Sequence, residues 1–127
     1  MKLIIIDDEP IYHFIMRKMI DVYVPSAPTV QYLQEGGKAL QFLAENKNNA
    51  EELPDIILLD IHMPLMSGWQ FLEIFKNIRG TLSKPVWVYV VSSSIDPVDI
   101  HRSKEYNFVH DYIIKPITKN KLQDILK

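Results

Sequence analysis

The chain has no cysteine among its 127 residues. Disulfides, thiolate metal sites and cysteine nucleophiles are therefore excluded, and the absence fits a reducing compartment. Long apolar runs are also missing. None approaches the roughly 20 residues needed to span a bilayer, and the stretch after Met1-Lys2 is too short for a signal-peptide core. Charge of one sign is lacking as well: 14 basic against 16 acidic residues leave a formal net charge of −2. Nucleic-acid binders usually carry a basic face. The 4 histidines are scattered without zinc-like spacing. These absences predict a cytoplasmic protein with neither nucleic acid nor membrane among its direct partners.

What the chain does have is a set of short apolar runs that end in polar residues. Asp7-Asp8 closes Leu3-Ile4-Ile5-Ile6, Asp60 closes Ile56-Ile57-Leu58-Leu59, and Lys115-Pro116 closes Asp111-Tyr112-Ile113-Ile114. A fourth run, Val86 to Val91, ends in Ser92-Ser93-Ser94. Unbroken Ile/Leu/Val runs of this length suit strands covered on both faces. Between them lie helix signals. Pro10 opens a helix to Tyr23, since proline fits a first turn, and Pro25 and Pro28 stop it. Ile11, Phe14, Ile15, Met19 and Val22 fall near helical spacing and form the expected core stripe. Tyr12, Met16 and Ile20 make a second line, read either as a wide core face or as a docking stripe for a partner's helices. On the docking reading, alanine at Met16 would slow transfer from a protein donor and spare small phosphodonors.

Thr29–Leu33 is the next strand, and Gly36-Gly37 opens a helix carrying Ala39, Leu40 and Leu43. Asn46 to Pro54 is a polar surface loop. Ser67-Gly68-Trp69-Gln70 matches a capping box, and the helix it starts buries Phe71, Leu72, Phe75 and Ile78 before Gly80 ends it. Asp96-Pro97 begins a short polar helix, Val109–Ile114 is a fifth strand, and Thr118 caps a last helix with Leu122, Ile125 and Leu126 inward. Strict alternation with right-handed crossovers predicts one α/β domain over residues 1–127, a doubly wound parallel sheet with the flavodoxin-like order 2-1-3-4-5. All the polar run-ends then emerge at one carboxyl edge, where open α/β sheets carry their sites. Clustered acids there repel unless a divalent cation joins them, which suggests a Mg²⁺-dependent phosphate site.

Ile6-Asp7-Asp8-Glu9-Pro10, Leu58-Leu59-Asp60-Ile61-His62-Met63-Pro64, Ser67-Gly68, Val91-Ser92-Ser93 and Tyr112-Ile113-Ile114-Lys115-Pro116 together resemble the receiver domain of two-component response regulators, in the expected order over the whole chain. The resemblance implies a phosphorelay switch, not a true enzyme, that assists its own phosphorylation and dephosphorylation. Asp60 would accept a phosphoryl group from a histidine kinase or histidine phosphotransfer protein. Asp8, Asp60 and the His62 backbone carbonyl would hold Mg²⁺, with Asp7 acting mainly through water. Lys115 would neutralise phosphoryl charge, and a hydroxyl would bond a phosphate oxygen, Ser92 ahead of Ser93. The segment from there to Lys115 is one residue longer than is common. Tyr112 stands where the family has an aromatic switch, with a half-buried core residue as the alternative reading.

The resemblance places the output on the face formed by helix 4, strand 5 and helix 5, toward an unknown protein target, and allows phosphorylation-dependent dimerisation. It implies a bacterial source and a stand-alone receiver of the chemotaxis-regulator type, with a receiver cut from a longer regulator as the alternative. A Mg²⁺-dependent aspartyl-phosphate hydrolase is a second alternative, but its nucleophile follows the first strand in an Asp-x-Asp pattern, where this chain has Asp7-Asp8-Glu9. A phosphorylation-independent scaffold is a third. Trp87 and Tyr89 depart from the usual aliphatic fourth strand and receive no functional account.

Overall fold

The computed structural model describes residues 1–26 and 28–126; Ala27 and Lys127, the latter the last residue of the expected domain, lie outside the described residues. Five strands and five helices alternate: β1 (Lys2–Ile6), α1 (Pro10–Tyr23), β2 (Thr29–Leu33), α2 (Gly36–Glu45), β3 (Ile56–Leu59), α3 (Gly68–Ile78), β4 (Trp87–Ser92), α4 (Pro97–Ser103), β5 (Val109–Ile114) and α5 (Lys119–Leu126). A single 3₁₀ turn, Arg79–Thr81, finishes α3. The strands pair in parallel in the order β2-β1-β3-β4-β5, the expected flavodoxin-like arrangement.

The apolar runs are central strands because both of their faces are covered. Along β1, Ile4 and Ile6 enter a core built with Ala39 and Leu43 of α2 and with Phe71, Leu72 and Phe75 of α3. Leu3 and Ile5 enter the other, with Met16 and Ile20 of α1 and Leu122, Ile125 and Leu126 of α5. Phe71 and Phe75 are fully buried, each contributing about 1.5–3 kcal/mol by burial alone.

The predicted helix starts are realised in detail. Ser67 accepts from the Gln70 N–H at 3.2 Å while the Gln70 side chain accepts from the Ser67 N–H at 2.9 Å. Asp96 caps α4 by accepting from Val98, and Thr118 caps α5 by accepting from Lys121.

On α1 the sequence expectation is inverted. Ile11, Phe14, Ile15 and Val22 face solvent, at 70%, 58%, 47% and 70% exposure, whereas Met16 and Ile20 are buried. Met19 and Tyr12 pack against the core only in part. The helix is apolar on more than one face, so spacing alone did not say which stripe would meet the sheet. Met16 is thus a core residue and not part of a docking stripe. Alanine there would open a cavity costing about 2–5 kcal/mol.

The β4–β5 ladder carries one irregularity. Val88 pairs with Val109 and Tyr89 with Asp111, so His110 is the unpaired residue of a β-bulge, which bends an edge strand locally. Its ring lies 4.3 Å from that of Trp87 and 5.5 Å from that of Tyr89. These aromatic residues therefore cover the bulge.

Candidate functional site

The ends of β1 and β3 bring Asp7, Asp8 and Asp60 together, because β1 and β3 are neighbours and their last residues, Ile6 and Leu59, pair. One oxygen from each carboxylate lies within 4.8 Å of the others. Backbone bonds hold both chain segments: the Asp60 N–H donates to the Ile6 carbonyl and the Asp7 N–H to the Leu33 carbonyl, each at 3.0 Å. Gly68 is required beside them. A Cβ there would stand 2.5 Å from the Asp60 carbonyl oxygen and 2.7 Å from the Ile61 Cα, closer than non-bonded atoms approach.

From β5, Lys115 reaches the same place. Its ammonium lies 2.7 Å from Asp7 Oδ2, 3.8 Å from Asp60 Oδ2 and 3.9 Å from Glu9 Oε1. Asp7 is 1% exposed, and both its oxygens are engaged, Oδ2 with Lys115 and Oδ1 with the Glu9 N–H. Asp8 is half-buried.

Asp60 is 6% exposed. Burial, and then the charge of Asp7, raise its pKa to about 6, while Lys115 and the backbone N–H groups of His62 and Ile61 draw it back. Three carboxylates against one ammonium leave surplus negative charge in a partly dry place. A hard divalent cation with oxygen ligands suits such a donor set, and Asp8 and Asp60 are the carboxylates best placed to offer oxygens.

Ser92, the last residue of β4, is fully buried, whereas Ser93 is exposed. The Lys115 N–H donates to the Ser92 carbonyl at 2.9 Å, so the serine and the lysine stand on adjoining strand ends. Ser92 Oγ accepts from the Ser94 N–H at 3.1 Å. Tyr112 is half-buried, and its hydroxyl donates to the Ser94 carbonyl at 2.9 Å. The Ser94 hydroxyl in turn donates to Asp99 at 2.7 Å. Asp99 lies 3.6 Å from His62 Nε2, and the His62 side chain is 62% exposed.

Three residues of this neighbourhood were missed from sequence. Ser94 and Asp99 join it only through the loop before α4. Tyr12, on the first turn of α1, lies with its ring centroid 4.3 Å from the Lys115 ammonium. No motif marks any of the three. A fourth surprise is His13, buried on α1, which donates from Nε2 to the Asp7 carbonyl at 2.8 Å and so fastens the first loop to its helix.

The family model of the response regulator receiver domain matches residues 3–127. The chain is 32% identical to the probable methanogenesis regulatory protein FilR2 of Methanothrix harundinacea, over 70% of this chain and 56% of that protein. It is 27% identical to the two-component response regulator ORR1 of rice, Oryza sativa subsp. indica, over 99% of this chain and 54% of that one. Among solved structures, a two-component response regulator from Cytophaga hutchinsonii superposes with a TM-score of 0.85 at 30% identity, covering 98% of this chain and 92% of the other. The phosphorylated cyanobacterial phytochrome response regulator RcpA gives a TM-score of 0.77 at 27% identity, over 99% and 88%.

The acids, the lysine and the sheet order thus have a common source: the chain belongs to the response regulator receiver family. It spans about half the length of the curated relatives it matches. Relatives in rice mean that membership does not by itself point to bacteria. Among the described residues, no helix is long and apolar enough to cross a membrane.

Proposed function

We propose that the chain is one receiver domain acting as a phosphorylation-controlled switch, with Asp60 as its phosphoacceptor and a histidine kinase or histidine phosphotransfer protein as donor. The observation that carries this is the convergence of Asp7, Asp8 and Asp60 within 4.8 Å, with the Lys115 ammonium against the same cluster. A carboxylate oxygen of Asp60 forms the bond to phosphorus while the donor's phosphorus–nitrogen bond breaks, its electron pair leaving with the donor. Such transfers depend on positioning and on neutralising charge at the equatorial oxygens. Lys115 supplies a fixed positive charge for one of them. Asp8, Asp60 and the His62 backbone carbonyl would hold Mg²⁺, which when bound neutralises charge on the transferring group. Asp7 has both oxygens occupied, which favours its acting on the ion through water and its main role as the anchor of Lys115.

Switching follows from shared partners. Ser92 and Tyr112 both fasten to Ser94, one through its N–H and the other through its carbonyl. A Ser92 hydroxyl drawn toward a phosphoryl oxygen releases the Ser94 N–H and loosens the anchor of Tyr112. The changed surface is the one formed by α4, β5 and α5, which would meet a protein target or a second copy of the chain.

Intact-mass analysis after incubation with acetyl phosphate tests the reading. One added phosphoryl group, dependent on Mg²⁺ and absent in Asp60→Asn, is the expected result. No adduct with acetyl phosphate and no Mg²⁺-dependent uptake of beryllofluoride would remove Asp60 as acceptor. Sustained turnover of an added phosphoester would make the chain a hydrolase.

A further inference from the structure

Lys115 has competing partners. Asp7 and Asp60 draw its ammonium inward, while Glu9, whose side chain is 64% exposed, lies 3.9 Å away toward solvent. Asp7, at 2.7 Å, is its direct anchor, but a lysine stem has four rotatable bonds and a strongly hydrated head, so one contact restrains it incompletely. A further restraint lies on the α1 side. The Tyr12 ring is seated against the core shared by α1 and α5, and its centroid lies 4.3 Å from the ammonium. A cation over an aromatic face is attracted by the ring's quadrupole, more strongly where water is scarce.

We propose that Tyr12 is a positioning residue for Lys115, its ring face holding the ammonium against the Asp7 carboxylate and beside Asp60. Two observations fit a role for the ring and not for the hydroxyl. The hydroxyl oxygen is buried without a hydrogen-bond partner among the described residues. Burial, then the charges of Asp7 and Asp60, push the phenol well above its ordinary range, so the group stays neutral and adds no further negative charge. The inference deepens the phosphoacceptor reading and rests on it for its kinetic arm alone.

The test uses the whole chain and two readouts. By NMR, the Lys115 ε-methylene protons of the unphosphorylated protein should show an upfield ring-current shift that survives in Tyr12→Phe and disappears in Tyr12→Leu. With acetyl phosphate and Mg²⁺, Tyr12→Phe should keep most of the phosphorylation rate, whereas Tyr12→Leu and Tyr12→Met should lose roughly two- to thirtyfold, the range an aromatic–cation contact spans. Two non-aromatic variants guard against one that folds poorly, and the wild-type shift needs no variant at all.

An absent shift in the wild type, or wild-type rates in the folded Leu and Met variants, would overturn the proposal. So would a Phe variant as slow as Leu, because the hydroxyl would then be the working group. A wild-type protein that takes up no phosphoryl group would instead defeat the phosphoacceptor reading, leaving the ring-current shift to decide the position of Lys115.

Discussion

The two halves of the site are built differently. The acid half, at the ends of β1 and β3, is held by backbone: ladder-end bonds from Asp7 and Asp60, and a helix start at Gly68 pressed against the Asp60 carbonyl. The hydroxyl half, at the end of β4 and the start of α4, is held by side chains. Ser92, Tyr112 and Asp99 all meet at Ser94, beside Ile95 and Val98, which are 72% and 70% exposed. Charge has to be fixed in place to be useful, and close packing of main chain does that. The switching proposed for the hydroxyl half has to be reversible. Hydrogen bonds worth about 0.5–1.5 kcal/mol each can exchange partners at little net cost.

The largest break in that contrast should come from Gly68→Ala. The new Cβ would meet main chain on both sides, which cannot yield as a flexible side chain would. We expect a loss of about 3 kcal/mol or more, read by urea unfolding. A loss under ~1 kcal/mol would show that the acid half is not rigidly packed.

A smaller effect of opposite sign is expected from Asp60→Asn without divalent metal. The folded-state pKa of Asp60 is raised to about 6 from an ordinary 3.8. The folded chain therefore binds this proton more tightly than the unfolded chain does. Stability falls as pH rises from about 4 to about 6 and stays lower above that. The asparagine variant should melt roughly 10 °C higher than the wild type at pH 7. The gap should close below pH 4, where the acid is protonated in both states. A constant gap across that window would mean that the charge is not the cause.

The smallest effect should come from Ser94→Ala. It removes the hydroxyl that donates to Asp99 and accepts from the Asp96 N–H, and should cost no more than ~1 kcal/mol overall. Hydrogen exchange should nevertheless quicken at the amides of residues 94–99 while those of β1 and β3 are unchanged. Uniform quickening across the sheet would erase the distinction between the halves.

Much of this was legible without coordinates. Runs of Ile and Leu that end in Asp read as buried strands with an acidic carboxyl edge, and alternation with helices dictates the crossovers. Asp7, Asp8, Asp60 and Lys115 could be picked out because each follows such a run directly. Ser67 and Gln70 could be read as a helix start because a capping box is a local device. Ser94, Asp99 and Tyr12 could not, since each acquires its partners from elements distant in the chain.

By itself, then, the sequence determined the order of elements, the helix caps and the acid cluster, because these depend on local chemistry and on the period of apolar residues. Tertiary structure alone decided which stripe of α1 was buried. The helix offers two apolar lines, and only the positions of β1 and α5 select Met16 and Ile20 over Phe14 and Ile15. It alone placed a bulge at His110, at the edge of the sheet. And it alone set the face of Tyr12 against Lys115, because residues 103 positions apart in the chain meet only when the sheet has brought their ends together.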